Sequence, residues 1–354
     1  MADCAAEFAD RIRACVAAGG CVQLRGGGSK DFYGRMPVGD LLVTRAHAGI
    51  VDYEPTELVI TARCGTPLAD IDAELARNGQ MFAFEPPHFG PDATLGGAIA
   101  AGLSGPRRAS TGALRDYVLG VKLIDGHGDI LTFGGQVMKN VAGYDVSRLM
   151  AGALGTLGLI LEVSVKTLPV PKAEVTLLLE MPEAVAISTL NQWAGHPLPV
   201  SAVAWNGGDL GVRLSGAEAA VIAAAGKLGG SRVEPAQAER FWRGIREHAD
   251  PFFNNTKPLW RLSVPSNTPP LGLTGEQMIE WNGALRWLAT NAEAATVRHA
   301  AEKAGGHATL FRGGDREQGV FHPLQPPLLA IHRRLKETFD PKGVFNRGRM
   351  YAEF

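Results

Sequence analysis

Cysteine is scarce in this chain of 354 residues. The four present, Cys4, Cys15, Cys21 and Cys64, form neither a C-x-x-C pair nor a spaced ligand series. An iron–sulfur cluster of the chain's own is therefore not expected, because such a cluster is held by several closely spaced thiolates. Disulfides are not indicated either, which suggests a reducing cytoplasm. Charge of one sign is also lacking. Lys and Arg number 35 against 36 Asp and Glu, a net −1, so a nucleic acid or other polyanion is not an expected partner. No run approaches the roughly 18 apolar residues of a membrane-spanning helix. The first residues are acidic early and have no apolar core of signal length. Peripheral contact with the inner face of a plasma membrane stays open. Two familiar nucleotide loops are missing as well. A P-loop ends in Gly-Lys-Ser/Thr where this chain has Gly28-Ser29-Lys30, and the dinucleotide fingerprint needs a glycine where Asp31 stands.

Glycine, by contrast, is abundant, with 44 residues, above the usual ~7%. Arg25-Gly26-Gly27-Gly28-Ser29-Lys30 follows a short strand at 21–24. Three successive glycines there can converge their N–H groups on a phosphate, with Ser29 and Lys30 adding donors. By itself the loop reads equally as an ordinary glycine turn. The stretch 89–166 carries Gly90-Pro91-Asp92-Ala93-Thr94-Leu95-Gly96-Gly97, Ser104-Gly105-Pro106-Arg107, Thr111-Gly112, Ala142-Gly143-Tyr144-Asp145 and Gly155-Thr156-Leu157-Gly158-Leu159-Ile160. The irregular spacing fits neither a repeat nor a linker. It suggests backbone held close to a large ligand, since glycine lets main chain approach where a Cβ would collide. A turn-rich sheet is the plain alternative.

The length suits two domains. Phe8, Ile12, Cys15 and Val16 share one face of a helix over 3–18, ended by Gly19-Gly20. Residues 41–43 and 58–62 read as strands, and Thr66-Pro67 as the N-cap and first residue of a helix. A small-residue helix is expected over 94–103, its start favouring a pyrophosphate. Strands at 118–124 and 130–133 flank the hairpin turn Asp125–Asp129, and 159–165 reads as a central strand. Leu168-Pro169-Val170-Pro171 marks a domain boundary. Beyond it, strand at 173–181, helix at 183–194, strands at 200–206 and 209–214, and helix at 216–228 give a split βαβ pattern. Helices at 236–248 and 293–304, strands at 259–264 and 307–312 and a helix near 326–339 complete the expectation. The domains are taken as 1–170, 171–320 and a C-terminal segment 321–354 returning to the first.

In this order and spacing, the two glycine stretches together with Phe339-Asp340-Pro341-Lys342-Gly343-Val344-Phe345-Asn346 resemble the vanillyl-alcohol oxidase / p-cresol methylhydroxylase family of FAD-binding flavoproteins. The likeness runs from about residue 20 to 168 and again in the tail. Within that family the stretches 142–149, 281–287 and 306–312 are most similar to the FAD-binding E subunits of bacterial glycolate oxidases (glycolate dehydrogenases). The resemblance implies an α+β fold: a two-part FAD-binding domain of the p-cresol methylhydroxylase type plus a smaller α+β, split βαβ-like cap domain. It implies that Arg25, Gly26, Gly27, Gly28, Ser29 and Lys30 wrap the FAD pyrophosphate. Pro91, Thr94, Leu95, Gly96 and Gly97 would form a second wall. Ser104, Gly105 and Gly112 would line the flavin edge, Ala142, Gly143 and Ile160 the ribityl and adenine side, and Asn346 would approach from the tail. Burying a pyrophosphate requires several pre-aimed N–H donors.

Departures from the family bear on function. Relatives with covalent flavin often have a histidine where Ser29 stands, so non-covalent FAD is expected. Related 2-hydroxy-acid dehydrogenases usually carry Glu where Leu154 stands, and a metal-binding His-Gly-Asp-Gly-Asn segment that is absent here. No metal is expected; His127 reads as a hairpin residue. His307 and Arg312 are the only candidates offered for catalysis, with a structural role favoured for His307. Arg347 and Arg349 are further cations for a substrate carboxylate. The implied function is the FAD-binding subunit of a multisubunit dehydrogenase that oxidises a small 2-hydroxy acid, glycolate, to glyoxylate. A larger FAD-binding subunit and an iron–sulfur subunit would be its partners. A self-sufficient FAD-dependent dehydrogenase and a non-catalytic scaffold are the alternatives.

Overall fold

The computed structural model of the chain describes residues 3–135 and 145–354. Two compact units form. The first gathers the chain up to Leu103, Ala113–Pro169 and Pro323–Phe354; the second gathers Ser104–Gly112 and Val170–His322. The short segment Ser104–Gly112, within the range 1–170 expected for the first domain, thus belongs to the second unit.

In the first unit, helix α1 (Ala5–Ala17) buries Phe8 and Ile12 and ends at Gly19, whose positive φ of 67° suits a residue without a Cβ. Strands β1 (Val22–Arg25) and β2 (Asp40–Val43) pair in parallel. Strands β3 (Ile50–Glu54), β4 (Val59–Arg63), β6 (Val118–Ile124), β7 (Ile130–Gly134) and β8 (Leu159–Lys166) form a five-stranded antiparallel sheet in the order β3-β4-β8-β6-β7, and the short β5 (Gln80–Met81) pairs with β9 (Leu168–Pro169). β8 is central, as its apolar run implies. It supplies Leu159 and Leu161 to the core under α1, and Ile160, Val163 and Val165 to the larger core. Helices α2 (Leu68–Arg77) and α3 (Leu95–Ala101) pack Leu68, Ile71, Leu75, Leu95 and Ile99 into that larger core.

One cap differs from expectation. The helix begins after Pro67, and Thr66 does not cap it. Its hydroxyl instead accepts from the Gly49 N–H at 2.8 Å and donates to the Arg63 carbonyl at 2.7 Å. A tertiary partner took the hydroxyl that the local Thr-Pro pattern assigns to the helix.

The second unit is built on one antiparallel sheet of β10 (Ala173–Glu180), β11 (Val200–Asn206), β12 (Asp209–Gly216), β13 (Ser231–Arg232), β14 (Leu259–Ser263), β15 (Glu276–Glu280), β16 (Leu285–Ala289) and β17 (His307–Arg312), in the order β13-β10-β12-β11-β15-β16-β14-β17. β12 lies antiparallel between β10 and β11, which the helix Glu183–Ala194 connects. β14 lies likewise between β16 and β17, connected by Ala294–Lys303. The split βαβ pattern expected once therefore occurs twice in one sheet. Strands β15 and β16 were not expected, although the turn that joins them, Trp281-Asn282-Gly283, carries the Asn-Gly signal of a hairpin and takes positive φ of 52°, 56° and 99°.

Candidate cofactor-binding site

β1 delivers the glycine loop of the first unit. β2 pairs with β1, and the tail adds a parallel bridge from Phe345 to Val22. Beyond Arg25 the N–H groups of Gly26, Gly27, Gly28 and Ser29 donate to no protein acceptor among the described residues. All four residues are half-buried. A donor left unsatisfied away from water costs about 1–3 kcal/mol, so four in succession describe a nest for an anion.

The second wall is the stretch 92–97. Thr94 caps α3, accepting from the Gly97 N–H at 3.3 Å. The N–H of Leu95 goes to the Thr66 carbonyl at 2.9 Å and that of Gly96 to the Cys64 carbonyl at 2.8 Å. The first turn of α3 is thus satisfied within the protein, contrary to the expectation that this helix start would serve a pyrophosphate. The open donors are those of the glycine loop. The glycines themselves let the two walls meet. A Cβ on Gly27 would run into the Asp92 carbonyl, and one on Gly26 into the Thr94 hydroxyl.

The turn 154–158 forms the third side. Leu154 and Gly155 both take positive φ, 51° and 70°. Asn346, from the tail, ties this turn to β1: its Oδ1 accepts from the Leu24 N–H at 2.7 Å and its Nδ2 donates to the Leu154 carbonyl at 2.6 Å. These surfaces enclose an open-mouthed cleft.

Among the described residues, Arg25, Lys30 and Arg349 are the cations lining the cleft and Asp31 its carboxylate. Arg25 pairs with Asp31 at 2.6 Å. Lys30 donates to the His88 carbonyl at 3.2 Å and lies over the Phe89 ring. Arg349 donates to the carbonyls of Arg35 at 3.0 Å and Lys30 at 3.2 Å. The Cys64 thiol on the wall is pushed up to about 12 by burial, so it stays neutral and unreactive near pH 7. A positive balance and a run of open N–H donors suit an elongated ligand carrying phosphates.

The model of the FAD binding domain family matches residues 1–134. Glycolate oxidase subunit GlcE of Escherichia coli K12 is 51% identical over 330 residues, covering 93% of this chain and 92% of that protein. The chain belongs to the glycolate oxidase subunit GlcE family. The Bacillus subtilis glycolate oxidase subunit GlcD is 34% identical over 156 residues, 44% of this chain and 33% of that protein. The solved structure of alkyldihydroxyacetonephosphate synthase shares the fold, with a TM-score of 0.66 at 16% identity over 96% of this chain and 75% of that one. FAD is the cofactor of this GlcE family member.

Arg25 to Lys30, Thr94, Gly96, Gly97, Ile160 and Asn346 meet at the cleft. Two expected wall residues do not line it: Pro91 is exposed, and the Leu95 side chain is buried in the core at 1% exposure. Ser104, Gly105 and Gly112 lie in the second unit. There the Gly105 carbonyl accepts from Trp281 Nε1 at 3.0 Å, and Gly112, with φ 98°, ends the single helical turn Arg108–Thr111. Ala142 and Gly143 lie outside the described residues. His307 and Arg312 stand at opposite ends of β17, roughly 17 Å apart at the strand rise, so they do not meet on one small substrate. Of the tail cations, exposed Arg347 donates to the Gly343 carbonyl at 3.1 Å, and Arg349 holds the glycine loop.

Sequence reasoning missed a buried pair behind the cleft. Lys336 Nζ donates to Asp340 Oδ2 at 2.7 Å, to the Thr156 carbonyl at 2.7 Å and to the Phe345 carbonyl at 3.0 Å. The only local sign was the i, i+4 spacing of a lysine and an aspartate at the end of the helix Pro326–Phe339.

Proposed function

We propose that this chain is the FAD-binding E-type subunit of a multisubunit dehydrogenase that oxidises glycolate, a small 2-hydroxy acid, to glyoxylate. The observation that carries this reading is the cleft with four open main-chain donors, in a chain of the GlcE family. The N–H groups of Gly26 to Ser29 receive the FAD diphosphate. Thr94, Gly96 and Gly97 face it, and Ile160 and Asn346 close the opposite side. Ser29 offers a hydroxyl where a covalent link would need an imidazole, so the FAD dissociates. When bound, FAD supplies a two-electron acceptor for the C–H bond of the hydroxy acid.

Among the described residues, none that lines the cleft is a histidine, and the one carboxylate there, Asp31, is paired with Arg25. The base that removes the hydroxyl proton is therefore assigned to a larger FAD-binding partner subunit. None of the four cysteines adjoins another at ligand spacing in sequence, so electrons leave through an iron–sulfur partner. The complex works in the cytoplasm.

The test is to purify the chain alone, saturate it with FAD, remove free flavin, and add glycolate without oxygen, with and without partner subunits. The proposal expects a bound-flavin spectrum that bleaches only when the partners are present. Failure to retain FAD overturns it, and bleaching of the lone chain at turnover rate makes the chain a self-sufficient enzyme.

A further inference from the structure

The C-terminal tail touches the cofactor cleft at two points and is itself braced by a buried ion pair. All three hydrogens of the Lys336 ammonium have acceptors: the Thr156 carbonyl at 2.7 Å, Asp340 Oδ2 at 2.7 Å and the Phe345 carbonyl at 3.0 Å. The Asp340 carboxylate receives two more donors, the N–H groups of Val344 and Phe345, both at 2.8 Å. This fixes the turn that ends in Asn346, a buried residue with φ 42°. Asn346 then holds the Leu154 carbonyl on one side and the Leu24 N–H on the other. Lys336 and Asn346 thus grip the same cleft-lining turn at alternate carbonyls, Thr156 and Leu154. The N–H groups of Val22 and Asn346 complete the attachment through the Val344 carbonyl at 2.7 Å and the Val22 carbonyl at 3.0 Å.

We propose that residues 336–346 are a clasp whose docking sets the FAD affinity of the cleft, with Lys336, Asp340 and Asn346 as positioning residues. The inference rests on the reading of the cleft as the FAD site. β1, which carries the glycine loop, and the 154–158 turn are joined to each other through Asn346. Losing the clasp lets these two sides of the cleft separate, while the glycine loop keeps its own sequence and donors. Docking of the tail and binding of FAD therefore favour each other, and linkage makes the effect reciprocal. The factor by which an undocked tail weakens FAD equals the factor by which FAD opposes undocking.

The experiment pairs two measurements on the full chain. FAD affinity is measured by flavin fluorescence for the wild type, Lys336→Met and Asn346→Ala. Tail opening is measured in the wild type by tryptic cleavage after the exposed Lys342 and Arg347, with and without saturating FAD. The expected result is at least tenfold weaker FAD binding by Lys336→Met, and a tail in the wild type cut at least tenfold more slowly with FAD bound. Glu174→Gln, which breaks the Arg107 ion pair of the second unit, leaves both measurements within twofold. A purely structural Lys336 would lower stability without making the two factors agree. A wild type that retains no FAD overturns the FAD reading, and this inference with it. A wild type that binds FAD yet loses its tail at the same rate with and without the cofactor overturns the clasp alone. That arm needs no variant, so it stands even if Lys336→Met does not fold.

Discussion

In the first unit, four consecutive main-chain donors, Gly26 to Ser29, face a cleft with no protein acceptor among the described residues. In the second unit even the buried arginines are engaged by groups of their own unit. Arg286 donates to the carbonyls of Gly283 and Thr268, both at 2.7 Å. Arg213 reaches Ser201 at 3.1 Å and lies over the Trp242 ring, and Arg107 pairs with Glu174 at 2.8 Å. The contrast separates two uses of polarity. Groups turned inward hold a framework together; groups left open await a ligand. Glycine content alone does not make the distinction, since Gly26, Gly27 and Gly96 owe their identity to neighbouring protein atoms, while their loop's N–H groups carry the chemistry.

The sharpest way to break the contrast is through Arg286. Arg286→Ala strips two buried carbonyls of their donor and leaves Glu183 without its cation, so about 3–5 kcal/mol of stability should go. FAD affinity should stay within about twofold of wild type. Denaturant unfolding and a flavin titration of the same preparation check both halves; a large loss of FAD affinity would show that the polarity of the second unit also serves the cofactor. Next in size is Gly27→Val. Its side chain would meet the Asp92 carbonyl and force the two walls apart, so FAD binding should weaken at least 100-fold, about 2.7 kcal/mol. Far-UV circular dichroism should remain that of the wild type. Unchanged FAD affinity would move the diphosphate elsewhere.

A third prediction concerns acid. His47 is fully buried, its Nδ1 accepting from the Cys4 N–H at 3.2 Å, and burial holds it below the ordinary imidazole range. In the second unit burial, aided by Arg312 and Arg261, holds His248 well below it. Both rings stay neutral in the folded chain while the unfolded chain takes up protons below about pH 6.5. Stability present above that pH is therefore lost as pH falls, by up to ~1.4 kcal/mol per pH unit for each histidine until its folded pKa is reached. Urea midpoints between pH 7.5 and 5 measure the slope, and His47→Gln should flatten it by up to one histidine's share. An unchanged slope would place the acid sensitivity in the other unit. The smallest effect is Thr94→Ala. Removing the cap of α3 should cost about 1 kcal/mol by thermal unfolding, with a modest loss of FAD affinity because the Thr94 hydroxyl also adjoins Gly26.

Much of this was legible in the chain because its causes are local. The hairpin at Asp125–Asp129 is closed by Asp125, whose carboxylate accepts from the N–H groups of His127 at 2.9 Å and Asp129 at 3.0 Å, as the turn chemistry implies. The apolar run of β8 marked a central strand. The glycine loop marked an anion nest because its donors lie side by side in sequence. What was not legible depends on distant partners. Thr66 looked like a cap until Gly49 claimed its hydroxyl. The helix start at Thr94 looked like an anion site until the carbonyls of Thr66 and Cys64 took its donors. Lys336 meets Thr156 across 180 residues, and no sequence window contains both.

β1, held between β2 and the tail bridge at Phe345, has a consequence for how the protein is made. The glycine loop leaves the ribosome long before Asn346, the residue that fastens it to the 154–158 turn. At ~5–20 residues per second, tens of seconds separate the two. A nascent chain therefore carries the loop without its fastening, and the cofactor site is completed only once Asn346 has been added and has emerged. By then the sheet of the second unit, which ends at Arg312, has already been synthesised.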